Sequence, residues 1–243
     1  MTDLNFGANL PGIKPGAYVG MSGSQSAAQP ALESTPPPEP TTMLPLRFIL
    51  ASASPRRQSL LSAAGYDFAV EPSGVDEQSW SSEMLPSAVA VQLAIAKAEA
   101  VSEKFPDEVV LAADTIVAFG DMVLGKPTDE KHAQWMLALL AGTTHVVITG
   151  VAVRKRNGAV AITDRVLSAV RMKPLMPDEI NRYIATRDWE GKAGGYGIQD
   201  RDPFVERIKG CHTNIVGLPM NTTRRMLASA GIVPGTPRES PPP

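Results

Sequence analysis

The stretch that decides the fold is His145-Val-Val-Ile-Thr-Gly-Val-Ala-Val-Arg-Lys155, then Arg156-Asn157-Gly158, then Ala159-Val-Ala-Ile-Thr-Asp-Arg-Val-Leu-Ser-Ala-Val-Arg-Met172. Two apolar, β-branched runs flank an Asn-Gly pair. That pair supplies the backbone angles of a tight hairpin turn. The reading is two long antiparallel strands, over residues 145–155 and 159–172, which argues against a purely parallel sheet. Working outward, strands and helices alternate. Residues 46–52, 67–71, 109–119 and 204–209 read as strands, and 55–64, 86–104, 129–141, 177–186 and 220–230 as helices. The predicted fold is α/β: a single domain with a mixed, partly antiparallel twisted sheet, flanked by helices and carrying a ligand cleft.

The flanks differ from this core. Residues 1–43 are rich in Gly, Ser, Pro and Ala and show no periodicity, and residues 234–243 are similar. Such segments bury too little apolar surface to offset their ordering entropy. The expected organisation is a disordered extension over 1–43, a folded domain over 44–233 and a disordered tail over 234–243. Met43 directly precedes the first strand and is a candidate start of translation.

Bulk properties narrow the function classes. The net charge of −2 argues against an extended nucleic-acid footprint, which asks for a strongly basic surface. A single cysteine, Cys211, excludes an intrachain disulfide and argues against a thiolate zinc site. It is read as a small, inert side chain. No run approaches the ~18 apolar residues of a membrane span, and the N-terminus lacks a secretory pattern. A cytoplasmic protein with no membrane partner is expected.

Several residues stand out chemically. In Ser52-Ala-Ser54-Pro-Arg-Arg57, a strand gives way to a helix. Ser54 suits the N-cap, with its hydroxyl accepting a free backbone N–H, and Pro55 suits the first turn. Arg56 and Arg57 fall where the helix dipole disfavours cations by roughly 0.3–1 kcal/mol each. An anion above the turn would offset that cost, and free N–H groups with guanidinium forks make a phosphate cradle. Two solvated surface charges explain the pattern equally well.

Asp114 and Thr115 interrupt an otherwise apolar strand. A buried carboxylate there needs a metal, a cation or backbone donors. It is read as a metal ligand or general base, against the alternative of a carboxylate satisfied at a bulge. Lys97 falls on the apolar stripe of its helix, although lysines at such positions also snorkel outward. Lys126 precedes Pro127 and follows a turn at Gly120-Asp121 that returns the chain towards Asp114. It also fits a plain loop lysine. Asp76 and Glu77 lie in a polar loop and suit a hard cation or mere solvation. Gly191 to Gln199 is a glycine-dense loop without P-loop spacing. His132, His145 and His212 are scattered, which argues against a serine-hydrolase reading of Ser54.

Six motifs occur in one order: Ser52-Ala-Ser-Pro-Arg-Arg, Ala113-Asp-Thr-Ile-Val, Gly125-Lys-Pro, Lys192-Ala-Gly-Gly-Tyr-Gly-Ile-Gln199, Val205-Glu-Arg-Ile and Asn214-Ile-Val-Gly-Leu-Pro219. In this order the chain resembles the Maf-like nucleotide pyrophosphatases, from about residue 47 to residue 230. The resemblance implies hydrolysis of a nucleoside triphosphate to monophosphate and pyrophosphate, a house-cleaning role, a divalent cofactor (Mg²⁺ or Mn²⁺) and a homodimer. By resemblance, Asp114 is the base and a metal-site carboxylate, Glu77 a second metal-linked position, and Lys97 and Lys126 hold the triphosphate. Arg56 joins the catalytic set. Ser52, Ser54, Arg57, Thr115 and Gln199 form the substrate-binding set. Arg57, Thr115 and Gln199 together resemble the subgroup acting on dTTP and UTP. Asp200 and Gly195 depart from the common pattern, and Asp200 puts base selectivity in question. Two alternatives stand beside this one: the same chemistry on 7-methyl-GTP or deaminated purine nucleotides, and a non-catalytic, nucleotide-binding regulator of septum formation.

Overall fold

The computed structural model describes residues 47–77, 80, 83–155, 157, 160–199 and 204–235. The expected disorder of 1–43 and of most of the tail, the hairpin residue Gly158 and the departure at Asp200 lie outside the described residues.

Along the chain come β1 (Phe48–Leu50), α1 (Pro55–Ala63), β2 (Phe68–Val70), α2 (Pro86–Lys104), β3 (Val110–Phe119), β4 (Met122–Leu124) and α3 (Glu130–Leu140). Then follow β5 (Thr144–Lys155), β6 (Val160–Met172), α4 (Pro177–Thr186), a 3-10 turn over Ala193–Gly195, β7 (Val205–Lys209), α5 (His212–Val216) and α6 (Met220–Ser229). The seven strands form one mixed sheet in the order β2-β1-β3-β5-β6-β7, with β4 also on β3. β1 runs parallel to β2 and β3, and the other pairings are antiparallel. The long hairpin expected from the sequence is β5–β6, paired from Thr144↔Arg171 to Lys155↔Val160. β4 and α5 are additions to the sequence reading, being too short to show a period.

Helix boundaries follow local chemistry. Asp129 caps α3 by accepting the His132 backbone N–H at 2.8 Å. Ala133, Met136, Leu137 and Leu140 form its buried stripe at helical spacing. After α1, Gly65 takes a φ of 78°, a left-handed turn that glycine adopts without strain.

Alternation along the strands sorts residues to the two faces of the sheet. Val110, Ala112, Ile116 and Ala118 of β3, with Ile148 and Ala152 of β5, pack under α2 against Leu93, Ala94 and Ala98. The opposite face carries two separate apolar cores. One joins Leu111, Ala113, Val151 and Val153 to Leu61 of α1 and Leu227 of α6. The other joins Val117 and Val147 to Leu137 of α3 and Ile180 of α4. Between these cores lie the small polar residues Thr115 and Thr149.

The sheet is split where β1 and β4 meet β3. On β3, β1 pairs with Val110 and Leu111, while β4 starts its pairing at Val117. Among the described residues, no strand lies beside residues 112–116 of β3 on this edge. The site opens here, beyond the carboxyl end of a parallel strand, where diverging chain leaves a crevice.

Candidate active site

Asp114 and Thr115 sit in that split and point to opposite faces. Asp114 faces α2, where it meets Lys97. Both are 4 % exposed, and the Lys97 Nζ lies 2.5 Å from Asp114 Oδ1. The same ammonium lies 2.7 Å from Glu77 Oε1, and Lys126 Nζ lies 2.5 Å from Glu77 Oε2. Charges therefore alternate along Asp114, Lys97, Glu77 and Lys126. Burial by itself would raise the Glu77 carboxyl, but Lys97 and Lys126 overcome it and hold the group down at about 2. The Gly120-Asp121 turn brings Lys126 here, because β4 folds back on β3 from Phe119↔Met122 to Val117↔Leu124.

Thr115 faces the other side, towards Arg57. Arg57 is 8 % exposed, so it is not a solvated charge. Its guanidinium spends its donors on three elements: Nε to the Gly217 carbonyl at 2.8 Å, Nη1 to Ser52 Oγ at 3.0 Å and Nη2 to Thr115 Oγ1 at 3.1 Å. Burial lowers its pKa, against the opposing pull of Asp114 and Glu77. Arg56, one residue earlier, reaches the Gly191 carbonyl at 3.1 Å and ties the start of α1 to the glycine-dense loop. That loop is also fixed where the Gly194 N–H donates to the Gly125 carbonyl at 3.0 Å, next to Lys126.

Ser54 requires a correction. It stands at the N-cap position, but its hydroxyl makes no capping bond. Its backbone N–H donates to Ser52 Oγ at 3.3 Å instead. The Ser52 hydroxyl, which Arg57 holds beside the turn, thus serves the N–H of the cap residue and not those of the helical turn that follows.

The ten residues assigned to catalytic, binding or metal roles line one cleft of about 530 Å³: Ser52, Ser54, Arg56, Arg57, Glu77, Lys97, Asp114, Thr115, Lys126 and Gln199. This is the size of a small-molecule site. Asp76 does not line it. The lining holds five cations (Arg56, Arg57, Lys97, Lys126, Lys192) against three carboxylates (Glu77, Asp114, Glu190), an excess that suits a polyanion. Val117, Val147, Tyr196, Ile198, Ile215 and Val216 give the cleft an apolar part suited to a flat ring.

Sequence reasoning missed Lys192, Glu190, Tyr196 and the Gly217 carbonyl. A lysine among glycines at Gly191-Lys192 was a legible signal. The Gly217 carbonyl had none, since backbone carries no residue signature. Among the described residues no three His, Cys, Asp or Glu side chains cluster as a ready metal cage. Asp114 and Glu77, joined through Lys97, are two hard oxygen donors at one point. Mg²⁺ and Mn²⁺ commonly take one or two carboxylates and complete their shell with substrate phosphates and water, so this donor set fits them.

The family model described as Maf-like protein matches residues 47–230. A dTTP/UTP pyrophosphatase of Syntrophomonas wolfei subsp. wolfei is 44 % identical over 183 residues, covering 75 % of this chain and 96 % of its own. A dTTP/UTP pyrophosphatase of Cereibacter sphaeroides is 46 % identical over 189 residues, covering 77 % and 96 %. A solved nucleoside-triphosphatase / dITP/XTP pyrophosphatase from Mycobacterium abscessus superposes loosely, with a TM-score of 0.40 and 14 % identity over 78 % of this chain and 100 % of that one. With the model matched from 47 to 230 and relatives above 40 % identity across nearly their whole length, the chain belongs to the Maf-like protein family.

Proposed function

We propose that this chain is a metal-dependent nucleoside triphosphate pyrophosphatase that hydrolyses dTTP and UTP to the monophosphate and pyrophosphate. The single observation that carries the reading is the Asp114–Lys97–Glu77–Lys126 cluster facing a cleft with excess cations. A pure binding site for a polyanion has no use for a buried carboxylate among its cations. The names of the relatives support pyrimidine triphosphates as substrates.

In this mechanism the substrate water attacks the α-phosphorus. Its proton passes to Asp114, the α–β bridging bond breaks, and pyrophosphate leaves with the bond's electrons. Arg57, fixed by its three bonds, and Arg56 position the phosphate chain over the start of α1. Lys126 neutralises charge that grows on the departing oxygens, as preorganised cations do in a water-poor cleft. Lys97 orients the Asp114 carboxylate. Glu77 holds both lysines until the triphosphate competes for them. Asp114 and Glu77 would hold the divalent ion, which would supply charge neutralisation on the phosphate oxygens. Thr115 and Gln199 face the nucleoside.

The test is direct. The purified chain is incubated with each common and modified nucleoside triphosphate plus Mg²⁺ or Mn²⁺, and products are separated. Monophosphate and pyrophosphate from dTTP and UTP support the assignment. Turnover confined to methylated or deaminated purine nucleotides would sink the pyrimidine assignment. Orthophosphate as the sole product would sink the pyrophosphatase chemistry itself.

A further inference from the structure

Thr149 and Gly150 do not line the cleft. In the β3–β5 ladder they stand opposite the two residues that do, Thr149 across from Thr115 and Gly150 across from Asp114. Neighbouring strand residues point to opposite faces. One dipeptide of β5 therefore backs both halves of the site.

On the first face Thr149 is fully buried. Its Oγ1 lies 2.9 Å from Thr115 Oγ1 and donates to the Asn214 carbonyl at 3.1 Å. Thr115 Oγ1 also reaches the Gly217 carbonyl, at 3.3 Å, so its proton has two acceptors within range, that carbonyl and Thr149 Oγ1. Thr115 Oγ1 in turn accepts from Arg57 Nη2. A connected network results: the Arg57 guanidinium, Thr115, Thr149, and the carbonyls of Asn214 and Gly217, which belong to one short segment. Each bond strengthens the next. Asn214 is itself fixed, its Nδ2 donating to the Val147 carbonyl and to Ser168 Oγ, each at 3.0 Å.

On the second face the need is for space. A Cβ on Gly150 would lie 2.3 Å from the Ala90 carbonyl oxygen and 2.7 Å from the Val91 nitrogen, both in the backbone of α2. The helix thus rests on the strand with nothing between them. Lys97 follows Ala90 by seven residues, two turns along the same helix face.

We propose that Thr149 and Gly150 are a two-sided pair of positioning residues. Thr149 aims the Arg57–Thr115 arm that holds substrate, and Gly150 seats α2 so that Lys97 meets Asp114. The proposal rests on the pyrophosphatase reading given above.

The two halves carry different kinetic signatures. Thr149→Val removes one hydroxyl at constant shape. It is expected to raise KM about tenfold, the effect of one buried hydrogen bond, with kcat within about twofold. Thr149→Ser restores the wild-type KM. Gly150→Ala is expected to lower kcat about tenfold or more with KM little changed, because Lys97 is displaced from the reacting centre. Ala94→Val crowds the same helix–sheet contact from the helix side and should lower kcat in the same sense, which keeps the second half testable if Gly150→Ala fails to fold. A merely structural role would not separate KM from kcat in this way. Wild-type KM in Thr149→Val overturns the first half, and unchanged kcat in Ala94→Val overturns the second. Lack of turnover by the unsubstituted chain sinks the pyrophosphatase reading instead. The affinity of a non-hydrolysable triphosphate for Thr149→Val then still decides the role of Thr149.

Discussion

Replacing Lys97 by methionine and, separately, Asp114 by asparagine should silence the enzyme equally but destabilise it unequally. Lys97 and Asp114 are each 4 % exposed, and one ammonium serves two carboxylates, Asp114 at 2.5 Å and Glu77 at 2.7 Å. Methionine has the length of lysine without the charge. It strands Asp114 with its carboxylate in the interior, and breaking a buried pair from one side costs about 3–5 kcal/mol. Asparagine at 114 leaves Lys97 paired with Glu77. What is lost there is the margin of a charged over a neutral hydrogen bond, about 1 kcal/mol. For a domain of this size the melting temperature falls by about 2–4 °C per kcal/mol. The expected drops are then about 6–20 °C for Lys97→Met and about 2–4 °C for Asp114→Asn. Loss of a positioned base, or of the cation that orients it, should lower pyrophosphate release by about 10²–10⁴ in both. The assay is calorimetric melting at neutral pH beside a pyrophosphate-release assay on the same samples. A Lys97→Met protein that melts within about 2 °C of wild type would refute the idea that one buried cation holds the cluster together. So would an Asp114→Asn protein that is the less stable of the two.

Three further outcomes follow from the geometry. Arg57→Lys keeps the charge but cannot make three bonds from a planar fork, so the triphosphate KM should rise about ten- to hundredfold in steady-state assays while the fold survives. His145 is buried, and burial pushes its imidazole down to about 4. The unfolded chain binds that proton at about 6.5, so stability should fall as pH drops from about 6.5 to about 4, by about 3 kcal/mol in all. Urea midpoints across this range would show the slope, and His145→Gln should flatten it. Chelation of divalent ions should abolish turnover without lowering the melting temperature by more than a few degrees, because Lys97 and Lys126 already neutralise Asp114 and Glu77 in the free protein. Mg²⁺ or Mn²⁺ should restore activity, and metal-independent turnover would remove the ion from the mechanism.

Much of this molecule was legible in the sequence because the relevant physics is local. Two apolar, β-branched runs and the Asn-Gly pair between them specified the long hairpin of β5 and β6. Helical periodicity marked Lys97 as inward-facing, and an acidic residue in an apolar strand marked Asp114. The Gly120-Asp121 turn pointed Lys126 back towards them, although a plain loop lysine fitted the same sequence. Periodicity says which side of an element is buried. It does not say what lies across from that side. The Arg57 fork closes on Gly217, 160 residues away, and on Thr115, 58 residues away, so only the folded path shows that a cation in a first helical turn is a buried three-way tie. Glu77, which by residue type suited a hard cation or mere solvation, stands in the fold between two lysines. Ser54 read as a cap, yet in the fold its hydroxyl makes no capping bond. The cleft is a tertiary product as well. It exists because β1 leaves β3 after Leu111 and β4 joins only at Val117, a gap set by how three strands pair. The sequence by itself determined the elements, their inward faces and the residue types able to do phosphate chemistry. The tertiary structure alone decided which of those residues share a charge, because Coulomb and hydrogen-bond energies depend on distances in space that chain separation does not encode.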